Sequence, residues 1–223
     1  MILIVTREDI AANPPSAYQI LSHPELRGHA STCGPHTLFT SLRIPASNLL
    51  APPGTGASLV ERTFALSAAL VGAMCVGVMR HAFDSALHFC RTETRGGLKS
   101  LVEHQSVSDS LISVKMSIDA ARALTWRAMS IIERPDESVS WPSRLESAVQ
   151  AKVWCSEQVV WAVEKCMGVV GIKSYGEDMP FMKILNDAAV LPLFDGGNVG
   201  VRRRQLQEIM EGDEYEAWEA TVM

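Results

Sequence analysis

The chain has 223 residues, 47% of them hydrophobic and 20% charged, with a formal net charge of −5. This excludes the low-hydrophobicity, high-charge signature of a disordered chain, and the negative balance argues against nucleic acid as a partner. The five cysteines, Cys33, Cys75, Cys90, Cys155 and Cys166, are odd in number and contain no C-x-x-C pair, so neither a disulfide framework nor a metal site is indicated and a reducing, cytoplasmic setting is expected.

The N-terminal MILIVTREDI meets charge too early for a signal-peptide core. Residues 1–50 carry short β-branched or alternating runs, MILIV and HTLFTSLRI, separated by the turn-rich NPPS and HPELRG, and read as a few strands. APPGTG, residues 51–56, is a breaker cluster and the expected linker. From residue 57 to 223 apolar residues recur with helical period, which predicts a helical bundle.

The first bundle helix is expected from Ala57 to about Thr92, with Ala65, Ala68, Ala69, Gly72, Ala73 and Gly77 permitting close approach of a neighbour. Its longest apolar stretch, Ala65 to Met79, contains Ser67 and two glycines and falls short of a membrane span, so no membrane partner is expected. In the second helix Val107, Leu111, Val114, Ile118, Ala121, Thr125, Ala128 and Ile132 fall at steps of four and three, the stripe of a long antiparallel bundle helix. RPDE should end it. A third helix is expected from Pro142 or Ser143 to about Met167, with Trp154 and Trp161 on one face as core or interface. Gly168 and Gly171 read as its C-cap and following turn. A short helix is expected from Asp178 to about Leu191, then a last one after FDGGN with Asn198 as N-cap. Arg202, Arg203 and Arg204 form one basic cluster, which reads as a solvated helix face.

Four segments, in order, resemble the acyl-CoA dehydrogenase superfamily. LRGHASTCGPHTLFTSLRIPASNLLAPPGTG is similar to the strand, proline turn and glycine loop that close that family's β domain. RTETRGGLKSLVEHQSVSD resembles the end of its first bundle helix and the start of its second. CMGVVGIKSY resembles the loop after its third, and LFDGGNVGVRRRQLQ the segment with its catalytic base. The resemblance implies a mainly α fold, an up-down four-helix bundle of the acyl-CoA dehydrogenase C-terminal type preceded by a partial β domain. It also implies that the family's N-terminal helical domain and the first part of its β domain are not in this sequence.

Most members place Glu-Gly-Thr where this sequence has Asp195-Gly196-Gly197, and in this respect, as in SAALVGAM, TRGG and EHQSV, it is similar to the nitroalkane oxidase branch. Carried over, Asp195 is the base, Arg202 the cation near it and Ser67 the hydroxyl that orients it. Arg95, His104, Gln105, Gly168, Gly171, Gly197 and Asn198 contact the cofactor, FAD. In that chemistry a base removes a proton, a nearby cation keeps the base anionic and a flavin accepts the electrons. The shorter Asp favours a small activated carbon acid, a nitroalkane going to aldehyde or ketone with nitrite and hydrogen peroxide.

The arginine that helps dehydrogenases hold an acyl-CoA falls near Ala68, which disfavours a thioester. Two alternatives stay open: an acyl-CoA dehydrogenase-like oxidoreductase with an Asp base, and a flavin-free relative serving as a subunit, pseudoenzyme or cofactor-free catalyst. A homo-oligomer, dimer or tetramer, is expected, since the family's flavin lies at a subunit boundary.

Overall fold

The structure is a computed structural model that describes residues 1–32, 34–133 and 139–221. Its contacts divide the chain into two compact units, Met1–Thr63 and Phe64–Met223.

In the first unit β1 (Ile2–Leu3) pairs antiparallel with β4 (Leu49–Ala51), and β2 (Tyr18–Ser22) with β3 (His36–Phe39). The strands are shorter than the sequence suggested. MILIV supplies only the two residues of β1, and HTLFTSLRI stops pairing before Ser41, whose φ of +52° turns the chain. Between β1 and β2 lies a helix not foreseen, α1 (Arg7–Ala11). Its cause is local: the Thr6 hydroxyl accepts from the Asp9 backbone N–H, and the Asp9 carboxylate accepts from the Thr6 backbone N–H at 2.9 Å, a reciprocal capping box. Asp9 also accepts from Asn48 Nδ2 at 2.7 Å, which ties α1 to the turn before β4.

The second unit is the mainly α, up-and-down bundle. Most of α2 (Gly56–Thr92) lies in it, followed by α3 (Gln105–Glu133), α4 (Trp141–Val170), the short α5 (Phe181–Val190) and α6 (Arg203–Met210). Gly72 of α2 meets Thr125 of α3 while Phe83 and Leu87 meet Leu111, so α2 and α3 are antiparallel. Ser117 faces Gln158 and Thr125 faces Cys155, so α3 and α4 are antiparallel in turn. The spaced stripe of α3 is buried from Leu111 through Ala128. Pro142 is accommodated in the first turn of α4, where its missing N–H costs nothing. α4 is the central helix, with Val149, Val159, Val163 and Val170 fully buried, and Phe181, Ile184 and Ala188 of α5 join the same core. Trp154 and Trp161 are half-buried against it.

Several boundaries differ from expectation. RPDE lies outside the described residues. Gly168 is not in a loop but in the last turn of α4; the chain leaves the helix at Gly171, with φ +70°. α5 starts at Phe181, not Asp178, behind Pro180. Of the small residues on α2, Ala68, Ala69 and Gly72 are buried, whereas Ala73 and Gly77 are exposed. By length and composition α2 also qualifies to cross a membrane, with an 18-residue stretch of mean hydropathy 1.6, more than the sequence reading allowed; 41% of that stretch is buried within the fold.

At the α2–α3 crossing a Cβ on Gly72 would lie 2.6 Å from Thr125 Oγ1, and Thr125 is a stiff β-branched side chain against Cys155. Gly72→Ala should therefore cost about 1–3 kcal/mol by overpacking, read as a lower urea midpoint. Adding Thr125→Ala should recover part of that loss, and strictly additive losses would show that the two residues do not share the crossing.

Candidate functional site

The site is built on the segment between α5 and α6. After Val190 the chain makes two tight turns and reaches Asp195 and Gly196, whose φ values are +50° and +82°. It then enters a single π-helical turn, Asn198–Arg202, that runs directly into α6. Left-handed backbone at a non-glycine residue such as Asp195 carries strain, and it persists only where the surroundings fix it.

Three side chains supply that fixing. Arg202, at the end of the π turn, points back: its Nε and Nη2 donate to the Asp195 carbonyl at 2.9 and 2.6 Å, while its nearest approach to the carboxylate, Nη2 to Oδ2, is 3.4 Å. The arginine thus grips the backbone of Asp195 more tightly than its carboxylate. Both side chains are nearly out of water, 4% exposed for Arg202 and 10% for Asp195. Burial pulls the Arg202 guanidinium below its ordinary range and the Asp195 charge opposes that shift. Ser67 Oγ of α2 lies 2.9 Å from each carboxylate oxygen, so its hydroxyl donates to the carboxylate from a second helix. The ring of Phe64 lies 5.6 Å from the guanidinium carbon of Arg202 and provides an aromatic face for the cation.

The third side chain, Lys152 of α4, was not singled out from the sequence. It is 0% exposed and donates to Gly196 O at 2.9 Å, Pro192 O at 3.2 Å and Asn198 Oδ1 at 2.6 Å. The sequence did contain a signal: Leu145, Val149, Lys152, Ser156 and Val159 recur at steps of three and four, so a lysine sits in a helix's core stripe, where an ammonium needs a partner. Asn198 is not the N-cap; Gly197 is, and the Asn198 amide turns inward, with Nδ2 donating to Ser156 Oγ at 3.0 Å and Glu157 Oε1 at 3.3 Å. The arginine cluster divides: Arg202 is buried, whereas Arg203 and Arg204 are exposed and paired with Glu157 and Glu208.

The remaining candidates gather elsewhere. Arg95 Nη2 donates to Val170 O at 2.6 Å, and its guanidinium packs on Gly171, where a Cβ would lie 2.8 Å from Nη2. Gly171 is therefore a seat that only glycine leaves open. Arg95 keeps Nε and Nη1 without a protein acceptor among the described residues. Gly168 is exposed on the last turn of α4, and His104 and Gln105 are exposed at the start of α3. Ser67 and Thr92 lie on one uninterrupted helix, which at about 1.5 Å rise per residue separates them by roughly 37 Å. The structure thus brings Asp195, Arg202, Ser67, Gly197 and Asn198 together at one end of the bundle and leaves Arg95 and Gly171 at the other.

Other chemistry finds little support. Burial pushes Cys155 up to about 11, Cys166 up to about 12 and Cys75 further, so these thiols stay protonated and are poor nucleophiles. Among the described residues no group of three His, Cys, Asp or Glu could hold a metal ion. A cleft of about 720 Å³ in the first unit is lined by Asp9, Thr40, Ser41 and Arg43, but the Asp9 carboxylate there is engaged in capping α1 and in holding Asn48.

An antiparallel helical bundle with a buried carboxylate–arginine–serine cluster between its last two short helices defines a class of helical domain. The chain belongs to the acyl-CoA dehydrogenase family, whose C-terminal domain it matches over residues 54–211. It is 50% identical over 221 residues to a nitroalkane oxidase of Fusarium oxysporum, covering 99% of this chain and 50% of that protein. The solved Podospora anserina nitroalkane oxidase superposes with a TM-score of 0.96 at 46% identity, over 99% of this chain and 51% of that one. Butyryl-CoA dehydrogenase from Megasphaera elsdenii shares the fold, with a TM-score of 0.78 at 22% identity over 87% of this chain and 49% of that one. The chain spans about half the length of the curated relatives it matches.

Arg202→Met should destabilise the chain by about 3–5 kcal/mol, the scale for leaving one partner of a buried pair alone. Ser67→Ala should cost less, about 1–3 kcal/mol, because the Asp195 carboxylate keeps Arg202. Urea unfolding of both variants checks the order, and equal losses would contradict it.

Proposed function

We propose that this chain carries the base-bearing part of an FAD-dependent oxidase that acts on a small activated carbon acid, a nitroalkane giving an aldehyde or ketone with nitrite and hydrogen peroxide. The observation that carries this reading is the Asp195 carboxylate, held by the Ser67 hydroxyl at 2.9 Å with the Arg202 guanidinium 3.4 Å away. The match to nitroalkane oxidases along 99% of the chain supports it.

In this reading Asp195 removes the proton beside the nitro group. Ser67 fixes the rotation of the carboxylate, and Arg202 keeps its charge close while anchoring the strained backbone beneath it. Bound FAD supplies the electron acceptor. The residues present fit such a group: Arg95, seated on Gly171 with donors to spare, together with Gly168, His104 and Gln105, would hold it from one bundle end. Gly197 would meet it from the other, whereas Asn198, 3% exposed and engaged through both its side-chain amide and its backbone within the fold, would support that contact from behind. The roughly 37 Å along α2 between these ends is more than one cofactor spans, which favours a homo-oligomer in which two chains share each flavin. Ala68, where a dehydrogenase would present its acyl-CoA arginine, is fully buried, which disfavours a thioester substrate.

The purified chain, with FAD added, should show the visible absorbance of bound oxidised flavin and release nitrite from a primary nitroalkane. Asp195→Asn should keep the flavin and lose about 10²-fold or more in proton abstraction, and Arg202→Lys should be harmed less, since it keeps the charge but loses the planar fork. Wild-type turnover in Asp195→Asn would move the base elsewhere.

Light scattering at micromolar concentration should give a dimer or larger, with an interface above about 1,000 Å². Arg95→Ala should weaken flavin binding without changing the proton-abstraction rate of the loaded protein. A monomer holding stoichiometric FAD would reject the shared site.

A further inference from the structure

We propose that Lys152 is a positioning residue for the Asp195 carboxylate, an internal ammonium ion that fixes the 192–198 loop from inside the bundle. Its three contacts, the carbonyls of Pro192 and Gly196 and the side-chain oxygen of Asn198, bracket Asp195 in sequence, and all three are acceptors. An ammonium has three N–H donors and matches that set. A neutral amine has two donors and a lone pair, so one acceptor would face a lone pair. The loop geometry therefore requires the charged form, although no carboxylate bonds directly to it.

The charged and titratable groups around Lys152 are Arg202 from the π turn, Asp195 from the loop, Cys75 from α2 and Glu157 from α4 itself. Glu157 is engaged by Asn198 Nδ2 at 3.3 Å and by Arg203 at 2.8 Å, so its charge reaches Lys152 through Asn198. Burial, and then Arg202, pull the lysine down to about 8 from its ordinary 10.5, against the opposing pull of the Asp195 and Glu157 charges; the Cys75 thiol, kept protonated by its own burial, carries none. The clamp thus loosens in mildly alkaline solution. Unfolding is not the cause. Between about pH 8 and 10.5 the unfolded chain holds a proton that the folded chain has lost, so this group's contribution to stability rises with pH. Loop order and global stability should therefore move in opposite directions across that window, a behaviour that a merely space-filling lysine would not produce.

The effect on turnover rests on the reading of Asp195 as the base; the effect on the loop does not. In the flavin-free chain, the Lys152 Cε and Nζ resonances should titrate near pH 8, the Gly196 and Asn198 backbone amides should follow with the same midpoint, and the urea midpoint should not fall over that range. In Lys152→Met the amide titration should vanish. In flavin-loaded protein kcat should drop about tenfold from about pH 7.5 to 9.5 with KM little changed, and Lys152→Met should have a kcat already lower by up to about 10²-fold, without that alkaline limb. Amides that stay still while Lys152 titrates would overturn the proposal, as would a Lys152→Met protein with wild-type loop resonances and kcat. If that variant does not fold, the wild-type titration alone decides. A loop that titrates as described in a chain that neither binds flavin nor turns over would reject the oxidase reading and leave the positioning role standing.

Discussion

The carbonyl oxygens of Pro192, Asp195 and Gly196 all receive hydrogen bonds from buried cations, the first and last from Lys152 and the middle one twice from Arg202. Left-handed backbone at Asp195 is costly, and carbonyls turned away from any helix or ladder need donors of their own. Lys152 comes from the central helix and Arg202 from the turn that follows the loop, so the segment is clamped from below and from beyond. The carboxylate inherits its place from the backbone. Ser67 then fixes the last degree of freedom, the rotation of the carboxylate about its own bond.

That arrangement places heavy demands on helix packing. Ser67 must present its hydroxyl to a loop anchored on α4, so α2 has to sit at a fixed height beside α3 and α4. Buried Ala68, Ala69 and Gly72, on the same stretch of α2, allow the close approach that sets this height, with Thr125 and Cys155 completing the contact. The bundle is thus the ruler that holds two halves of a site contributed from positions 67 and 195.

Much of this was legible in the sequence, and the parts that were not share a reason. The α3 stripe follows from apolar spacing and the start of α2 from the APPGTG breaker before it, because periodicity and chain breaking are local properties. Ser67, Asp195 and Arg202 came from resemblance, and the structure brings them together. Lys152 was overlooked because its meaning depends on a loop some forty residues away in sequence. Asn198 was misread for a related reason: a cap satisfies its own helix, whereas this amide serves Lys152, and only tertiary context separates the two. The short α1 is a different case. Its Thr6 to Asp9 spacing is a local capping signal, passed over among strand-like neighbours.

The π-helical turn at Asn198–Arg202 carries a consequence for how such chains can diverge. Its Arg203 N–H reaches back five residues to Asn198, so the turn holds one residue more than an α-helix would. The bulge acts as a phase shifter: with Asn198 fixed inward on Lys152, it aims position 202 at Asp195 and positions 203 and 204 at solvent. Winding the same residues at ordinary helical pitch would rotate Arg202 by close to one residue's step of about 100° and bring position 201 toward Asp195 in its place. A stretch that looks like a run of interchangeable arginines is therefore sorted into one buried and two exposed positions by the winding of the turn before it.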